Sequence, residues 1–113
     1  QLIVATSKPE EFSIQILKHF GLYDYFDFVA GATMDRKRSK KSDVIQYALE
    51  QNGITDLAHT IMIGDREHDV LGAQAQKFDS IGVLYGFGSR EELEEAGATY
   101  IAQEVGEIAA FIG

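Results

Sequence analysis

Two short apolar runs in this chain end in polar residues and pass without a linker into helical patterns, which constrains the fold more than any other feature. The first is Leu2–Ala5, followed by Thr6-Ser7-Lys8-Pro9-Glu10-Glu11. The second is Thr60–Ile63, which stops at Gly64-Asp65 and repeats the carboxylate four residues later at Asp69. Runs this short, apolar and rich in β-branched residues are expected of strands buried on both faces, as in a parallel sheet. At the first junction the spacing predicts a helix start with Ser7 near the N-cap and Pro9 in the first turn. Both junctions then fall on the same edge of one sheet, and in an open parallel sheet ligands bind outside the carboxyl ends of the strands.

The remaining pattern alternates in the same way. Glu10–Phe20 carries apolar residues at Phe12, Ile14, Ile16, Leu17 and Phe20, with Gly21 where a left-handed C-terminal cap is wanted. Phe26–Ala30 reads as a short strand. Ser42–Gln51 places Val44, Ile45, Ala48 and Leu49 on one helical face and stops at Asn52-Gly53. A helix is expected after Asp65, with apolar spacing at Val70, Leu71, Ala73 and Ala75. Ser80–Tyr85 is a further apolar strand, closed by Gly86-Phe87-Gly88. Ser89-Arg90-Glu91-Glu92 has the spacing of a capping box, and the helix it opens should end at Gly97. Thr99–Ala102 reads as a last strand and Val105–Ile112 as a last helix. This β-α alternation predicts an α/β fold with a mainly parallel sheet and helices on its faces.

Two kinds of chemistry are offered at the junctions. If the second helix start lies at Asp65, that residue and Asp69 stand one turn apart and can face one pocket. Such a pair suits a hard cation such as Mg²⁺, which takes oxygen ligands and keeps several waters. The alternative is that Asp65 caps the helix and Asp69 is a solvated first-turn acid. At the first junction a hydroxyl, backbone N–H groups and a lysine make an anion cradle, and ordinary capping by Thr6-Ser7 is the alternative. His68, one step from Asp69, should point away from the acids, and His19 and His59 carry no functional signal. Tyr85 and Phe87 are expected to close a strand end.

Composition narrows the classes. At 113 residues, 45% of them hydrophobic, the chain is at most one domain. A net charge of −8 argues against a general nucleic-acid binder. Five of the ten basic residues nevertheless cluster at Arg36, Lys37, Arg38, Lys40 and Lys41, a run in which most members are expected to be solvated. The absence of cysteine removes any thiol nucleophile and fits a cytoplasmic setting. No apolar segment approaches the roughly 18–20 residues that span a bilayer, so no membrane partner is expected.

Val4-Ala5-Thr6-Ser7-Lys8-Pro9, then Lys41-Ser42-Asp43-Val44-Ile45, then Ile63-Gly64-Asp65-Arg66-Glu67-His68-Asp69 resemble, in order and spacing, the later motifs of the haloacid dehalogenase superfamily. The closest likeness is to its phosphoglycolate-phosphatase-like and 5′-nucleotidase-like branch, and Gly82–Gly88 resembles the segment that follows there. The resemblance implies a three-layer, Rossmann-like core. It implies that Thr6 hydrogen-bonds the transferring phosphoryl group and that the Ser7 N–H helps hold its oxygens. It implies that Lys41, or Lys40 if the register slips by one, neutralises phosphate and nucleophile. Asp65 is implied to ligate Mg²⁺, and Asp69 to bind a metal-bound water or orient the lysine. These roles agree with the physics of phosphoryl transfer, which depends on positioning and on neutralising charge at the equatorial oxygens.

The family pattern also requires an aspartate nucleophile and a second, acid/base aspartate on a first strand, followed by a cap domain that selects the substrate. No part of this chain matches them. The resemblance therefore implies that residues 1–113 are the C-terminal part of the core domain of a larger Mg²⁺-dependent phosphatase for a small phosphate monoester. Alone, lacking the first central strand and the cap, they are expected to be inactive. They should need a missing N-terminal segment or another chain to complete the sheet, because buried strand edges left unpaired are costly. Two readings from other classes stand beside this one. A phosphorelay receiver has similar ingredients but the reverse order of acids and hydroxyl, and a non-catalytic interaction module would keep the fold without binding Mg²⁺ or phosphate.

Overall fold

The β-α alternation is present throughout the computed structural model, which describes residues 1–35 and 37–112. Arg36, one of the five clustered basic residues, lies outside the described residues. The order is β1 (Ile3–Pro9), α1 (Glu10–His19), β2 (Phe28–Ala32), α2 (Lys41–Gln51), β3 (Ile61–Gly64), α3 (Glu67–Ala75), β4 (Asp79–Val83), α4 (Arg90–Ala96), β5 (Tyr100–Ala102) and α5 (Val105–Ile112). The chain divides into two compact units, Gln1–Thr55 and Asp56–Gly113. All strand pairing among the described residues is parallel, β1 with β2 in the first unit and β3-β4-β5 in the second.

In the first unit β1 and β2 pair regularly from Ile3↔Phe28 to Ala5↔Ala30, and then the register slips to Pro9↔Ala32. Four steps along β1 are thus matched by two along β2, so Thr6, Ser7 and Lys8 bulge out of the ladder. Bulges re-aim side chains at the end of a strand. Here the bulge corrects the expected helix start. The strand runs on to Pro9, which itself occupies the N-cap of α1 without a side-chain cap bond, and Ser7 is exposed. Proline suits this place because it has no N–H to satisfy and its fixed φ leads into a helix. Glu10 and Glu11 then favour the positive end of α1. Val44, Ala48 and Ala30 form the core here, with Ile3, Ala5, Phe28 and Tyr47 packed around them. α2 ends as expected at Asn52, with Gly53 at φ +61°.

In the second unit Ile81, Val83 and Ala102 form the core, joined by Ile61, Ile108 and Phe111. Leu93 of α4 is fully buried against the backbone of β4, and a Cβ added at Gly82 would stand 3.0 Å from Leu93 Cδ1. α3 buries Val70, Gly72 and Ala73, while Leu71 is exposed. β3 departs from expectation, because Ile63 is 38% exposed rather than buried. Among the described residues β1 and β3 each have one strand neighbour, so each leaves one edge without a strand partner. No described helix is long and apolar enough to cross a membrane.

Candidate phosphate and metal site

The second unit holds its acids at the β3–α3 junction. Asp65 follows the last residue of β3, Arg66 is the N-cap in an extended conformation, and α3 begins at Glu67. Asp65 therefore precedes the helix, and the expectation that it shares a helical face with Asp69 is corrected. What holds it is the loop after β4. Phe87 N donates to Asp65 Oδ2 at 2.9 Å. A Cβ at Gly86 would collide with the Asp65 carboxylate, and one at Gly88 with the Asp65 carbonyl oxygen. Only glycine lets the backbone approach so closely. Phe87 contributes through its backbone, for its side chain is 93% exposed rather than closing the strand end.

Asp69 is the third residue of α3 and is buried. Its Oδ2 accepts from Arg66 N at 3.2 Å, while its own N–H donates to the Arg66 carbonyl at 3.1 Å. This reciprocal pair fixes the turn immediately after Asp65. Gly64 leaves room for it, since a Cβ there would overlap both the Cβ and the carboxylate of Asp69. His68 is exposed, as its position beside Asp69 predicts.

Glu92 was not expected at this junction. Ser89 Oγ accepts from Glu92 N at 3.1 Å, which is half of the expected capping box. The other half is replaced, because the Glu92 carboxylate turns to the start of α3. Its Oε2 accepts from Glu67 N at 2.8 Å and from Arg66 Nε at 2.9 Å. The Glu67 N–H, and next the Arg66 guanidinium, hold the Glu92 carboxyl below the usual glutamate range; the Glu92 hydrogen bond in turn raises Arg66. Glu92 thus supplies an acceptor for the N–H of Glu67, the first residue of α3. The Ser-x-x-Glu spacing marked Glu92 as a first-turn acid, yet spacing along α4 carries no information about α3.

In the first unit Lys41 is the first residue of α2 and is half-buried. Its Nζ donates to the Ala5 carbonyl at 2.6 Å. That brings an ammonium group to the end of the regular β1 ladder, immediately before Thr6 and the bulge. Lys40 is the N-cap residue of α2 and is exposed. Thr6 Oγ1 accepts from Lys8 N at 3.2 Å, which tightens the bulge, and Ser7 is exposed beside it. Of the basic run Lys37 is exposed, as expected, but Arg38 is not solvated: its guanidinium is bonded to Gly31 and Glu10 and lies over Tyr47.

Among the described residues no three His, Cys, Asp or Glu side chains gather into a metal cluster. The donor set is still of the right chemistry for Mg²⁺, which is commonly held by one or two carboxylates together with waters and phosphate oxygens. Asp65 is the candidate ligand, a half-buried carboxylate with Oδ2 oriented by a backbone N–H.

Residues 1–83 match the family described as Haloacid dehalogenase-like hydrolase. The chain is 39% identical over 104 residues to a 5′-nucleotidase of Pseudomonas aeruginosa, covering 92% of this chain and 47% of that protein. It is 39% identical over 102 residues to the tyrosine-protein kinase PtkA of Mycobacterium tuberculosis, covering 89% and 34%. With a phosphoglycolate phosphatase of Neisseria meningitidis it shares 34% identity over 98 residues, covering 87% and 41%. The crystal structure of a predicted phosphatase from Clostridium acetobutylicum superimposes with a TM-score of 0.93 at 54% identity, covering 99% of this chain and 51% of that one. This chain therefore spans between 34% and 51% of the length of these proteins.

Proposed function

Because the chain belongs to the haloacid dehalogenase-like hydrolase family, we propose that it supplies the phosphate-binding and metal-binding residues of a phosphatase for small phosphate monoesters. The observation that carries this reading is the Lys41 ammonium drawn to 2.6 Å from the Ala5 carbonyl, beside the hydroxyl residue Thr6. A lysine anchored there places a positive point charge beside Thr6, where the Thr6 hydroxyl and the Ser7 N–H would be hydrogen-bond donors to the oxygens of a phosphate. In the second unit Asp65 would hold Mg²⁺, and Asp69, bonded to Arg66 N, keeps the Asp65 turn in shape. When bound, Mg²⁺ would neutralise charge that builds on the phosphoryl oxygens. The relatives named above, phosphatases and a kinase alike, are proteins whose names imply handling of a phosphoryl group, which is the part of the chemistry these residues serve.

The family's reaction passes through an aspartyl-phosphate, and no position of this chain matches the nucleophile. Residues 1–113 by themselves are therefore expected to be inactive.

The test is Mg²⁺-dependent hydrolysis of p-nitrophenyl phosphate and a small panel of phosphate esters by the intact protein, by its Asp65→Asn variant and by residues 1–113. Activity in the intact protein alone is the expected result. An inactive intact protein that binds neither Mg²⁺ nor phosphate would establish the interaction-module reading instead, and an active 1–113 piece would show that the nucleophile lies within these residues.

A further inference from the structure

The connection between β2 and α2 delivers Lys41, and one side chain ties that connection down. Arg38 Nε donates to the Gly31 carbonyl at 2.8 Å, and its Nη2 donates to Glu10 Oε1 at 3.1 Å. The same Glu10 oxygen accepts from Gly31 N at 3.3 Å. The guanidinium lies over the Tyr47 ring, 3.5 Å from the centroid, and that ring packs against Phe28 at 5.9 Å. One group therefore joins the first residue of α1, the edge of β2 and the second turn of α2. The backbone of Arg38 is secured as well: its N–H donates to Thr33 Oγ1 at 3.0 Å, and its carbonyl accepts from Thr33 N at 2.8 Å. Asp35 completes the turn, and the Thr33 hydroxyl, followed by the Lys37 N–H, holds its carboxyl below the ordinary range.

A site for this guanidinium is built into the backbone. A Cβ at Gly31 would stand 2.5 Å from Glu10 Cα and 2.8 Å from Glu10 N, so only glycine allows β2 and the start of α1 to come this close. The approach places the Gly31 carbonyl and the Glu10 carboxylate side by side as two acceptors for one planar fork. The Arg38 side chain is only 19% exposed, against 48% for Arg66 and 46% for Arg90 in their ion pairs. Lysine is no equivalent here, since its ammonium lacks the planar fork that meets both acceptors while lying over the Tyr47 ring.

We propose that Arg38 is a positioning residue for Lys41: by locking the turn before α2 onto β2, α1 and Tyr47, it fixes the start of α2 and holds the Lys41 ammonium at the end of β1. Arg38 does this through its own partners rather than by touching phosphate. The inference rests on the phosphate-binding role given to Lys41 above.

The experiment measures kcat and KM for p-nitrophenyl phosphate with Mg²⁺ in the intact protein, in Arg38→Lys, in Lys41→Ala and in the double variant, with a thermal melt of each. Arg38→Lys should lower kcat about 10- to 100-fold, the range over which misplacing a catalytic group by about 1 Å acts. In the Lys41→Ala background the same change should have almost no further effect, because the group it positions is gone. Equal losses in both backgrounds, or a lowered melting temperature with kcat unchanged, would overturn the proposal and leave Arg38 a merely structural residue. Tyr47→Leu, which removes the stacking surface but keeps the hydrogen bonds, should give a smaller kcat loss that likewise vanishes with Lys41→Ala; this serves if Arg38→Lys fails to fold. A Lys41→Ala variant as active as the wild type would refute the role of Lys41 itself, and the role of Arg38 with it.

Discussion

Replacing Gly64 by alanine puts a methyl group where Asp69 already stands. The added Cβ would overlap the Asp69 Cβ as well as its carboxylate, so rotating that side chain does not clear the space. Backbone at the end of β3 or the start of α3 must move instead. Overpacking of this kind costs about 1–3 kcal/mol. The movement also strains the bond from Arg66 N to Asp69 Oδ2, whose net contribution is on the order of 0.5–1.5 kcal/mol. Against these stands the smaller entropy of an unfolded chain with alanine in place of glycine, about 0.4–1 kcal/mol in favour of the variant. The net expectation is a loss of about 1–3 kcal/mol, a sizeable part of the ~5–15 kcal/mol typical of a folded domain. Urea denaturation of the intact protein measures it, read as a lower midpoint at unchanged slope. Gly106 is the control, since a Cβ there meets nothing within 4 Å and its residue lies in the first turn of α5. Gly106→Ala should therefore stabilise by about 0.4–1 kcal/mol, the opposite sign. A Gly64→Ala variant within ~0.5 kcal/mol of the wild type would refute the close packing at the acidic junction.

Three further outcomes are expected. Leu93→Ala should cost about 2–5 kcal/mol in the same denaturation assay, because a fully buried leucine leaves a cavity against β4. Glu92 is held below its ordinary pKa by the Glu67 N–H and by Arg66, so its contribution to stability is complete above the unfolded value of about 4.3 and is lost as pH falls through the lower folded value. Glu92→Gln should accordingly lower stability at neutral pH and give a shallower decline on acidification; denaturation midpoints from about pH 6 downward test this, and parallel curves for the two proteins would exclude the linkage. Gly97 closes α4 at φ +94°, and a Cβ there would strike the Gln74 amide that donates to the Ala96 and Gly97 carbonyls. Gly97→Ala should therefore destabilise by more than about 1 kcal/mol in thermal or urea unfolding.

Local chemistry made much of this chain readable without coordinates. The helix stops at Gly21, Gly53 and Gly97 follow from the need for positive φ, and all three glycines adopt it. The order of strands and helices follows from the change of hydrophobic period, and the final helix falls on the residues the pattern marked. The apolar run that stops at Gly64-Asp65 placed Asp65 at a strand-to-helix junction, where it lies. These are properties of neighbours in the chain, which a sequence records directly.

What the sequence could not record are contacts between residues far apart along it, and these decide how the site is held. The bulge at Thr6–Lys8 arises from the register of β1 against β2, so the helix begins at Glu10 rather than near Ser7. Arg38 reads as a solvated member of a basic run until Glu10, Gly31 and Tyr47 are brought around it. Glu92 reads as half of a local capping box, yet its carboxylate serves a helix 25 residues earlier. Asp65 is aimed by the N–H of Phe87, 22 residues away. Sequence by itself determined which residues carry charge and hydroxyl groups and where the helices stop, because propensity and capping act within a few residues. Tertiary structure alone decided which backbone N–H or carbonyl each of those groups meets, because unsatisfied polar groups are costly to bury and their partners come from whichever element the sheet places alongside.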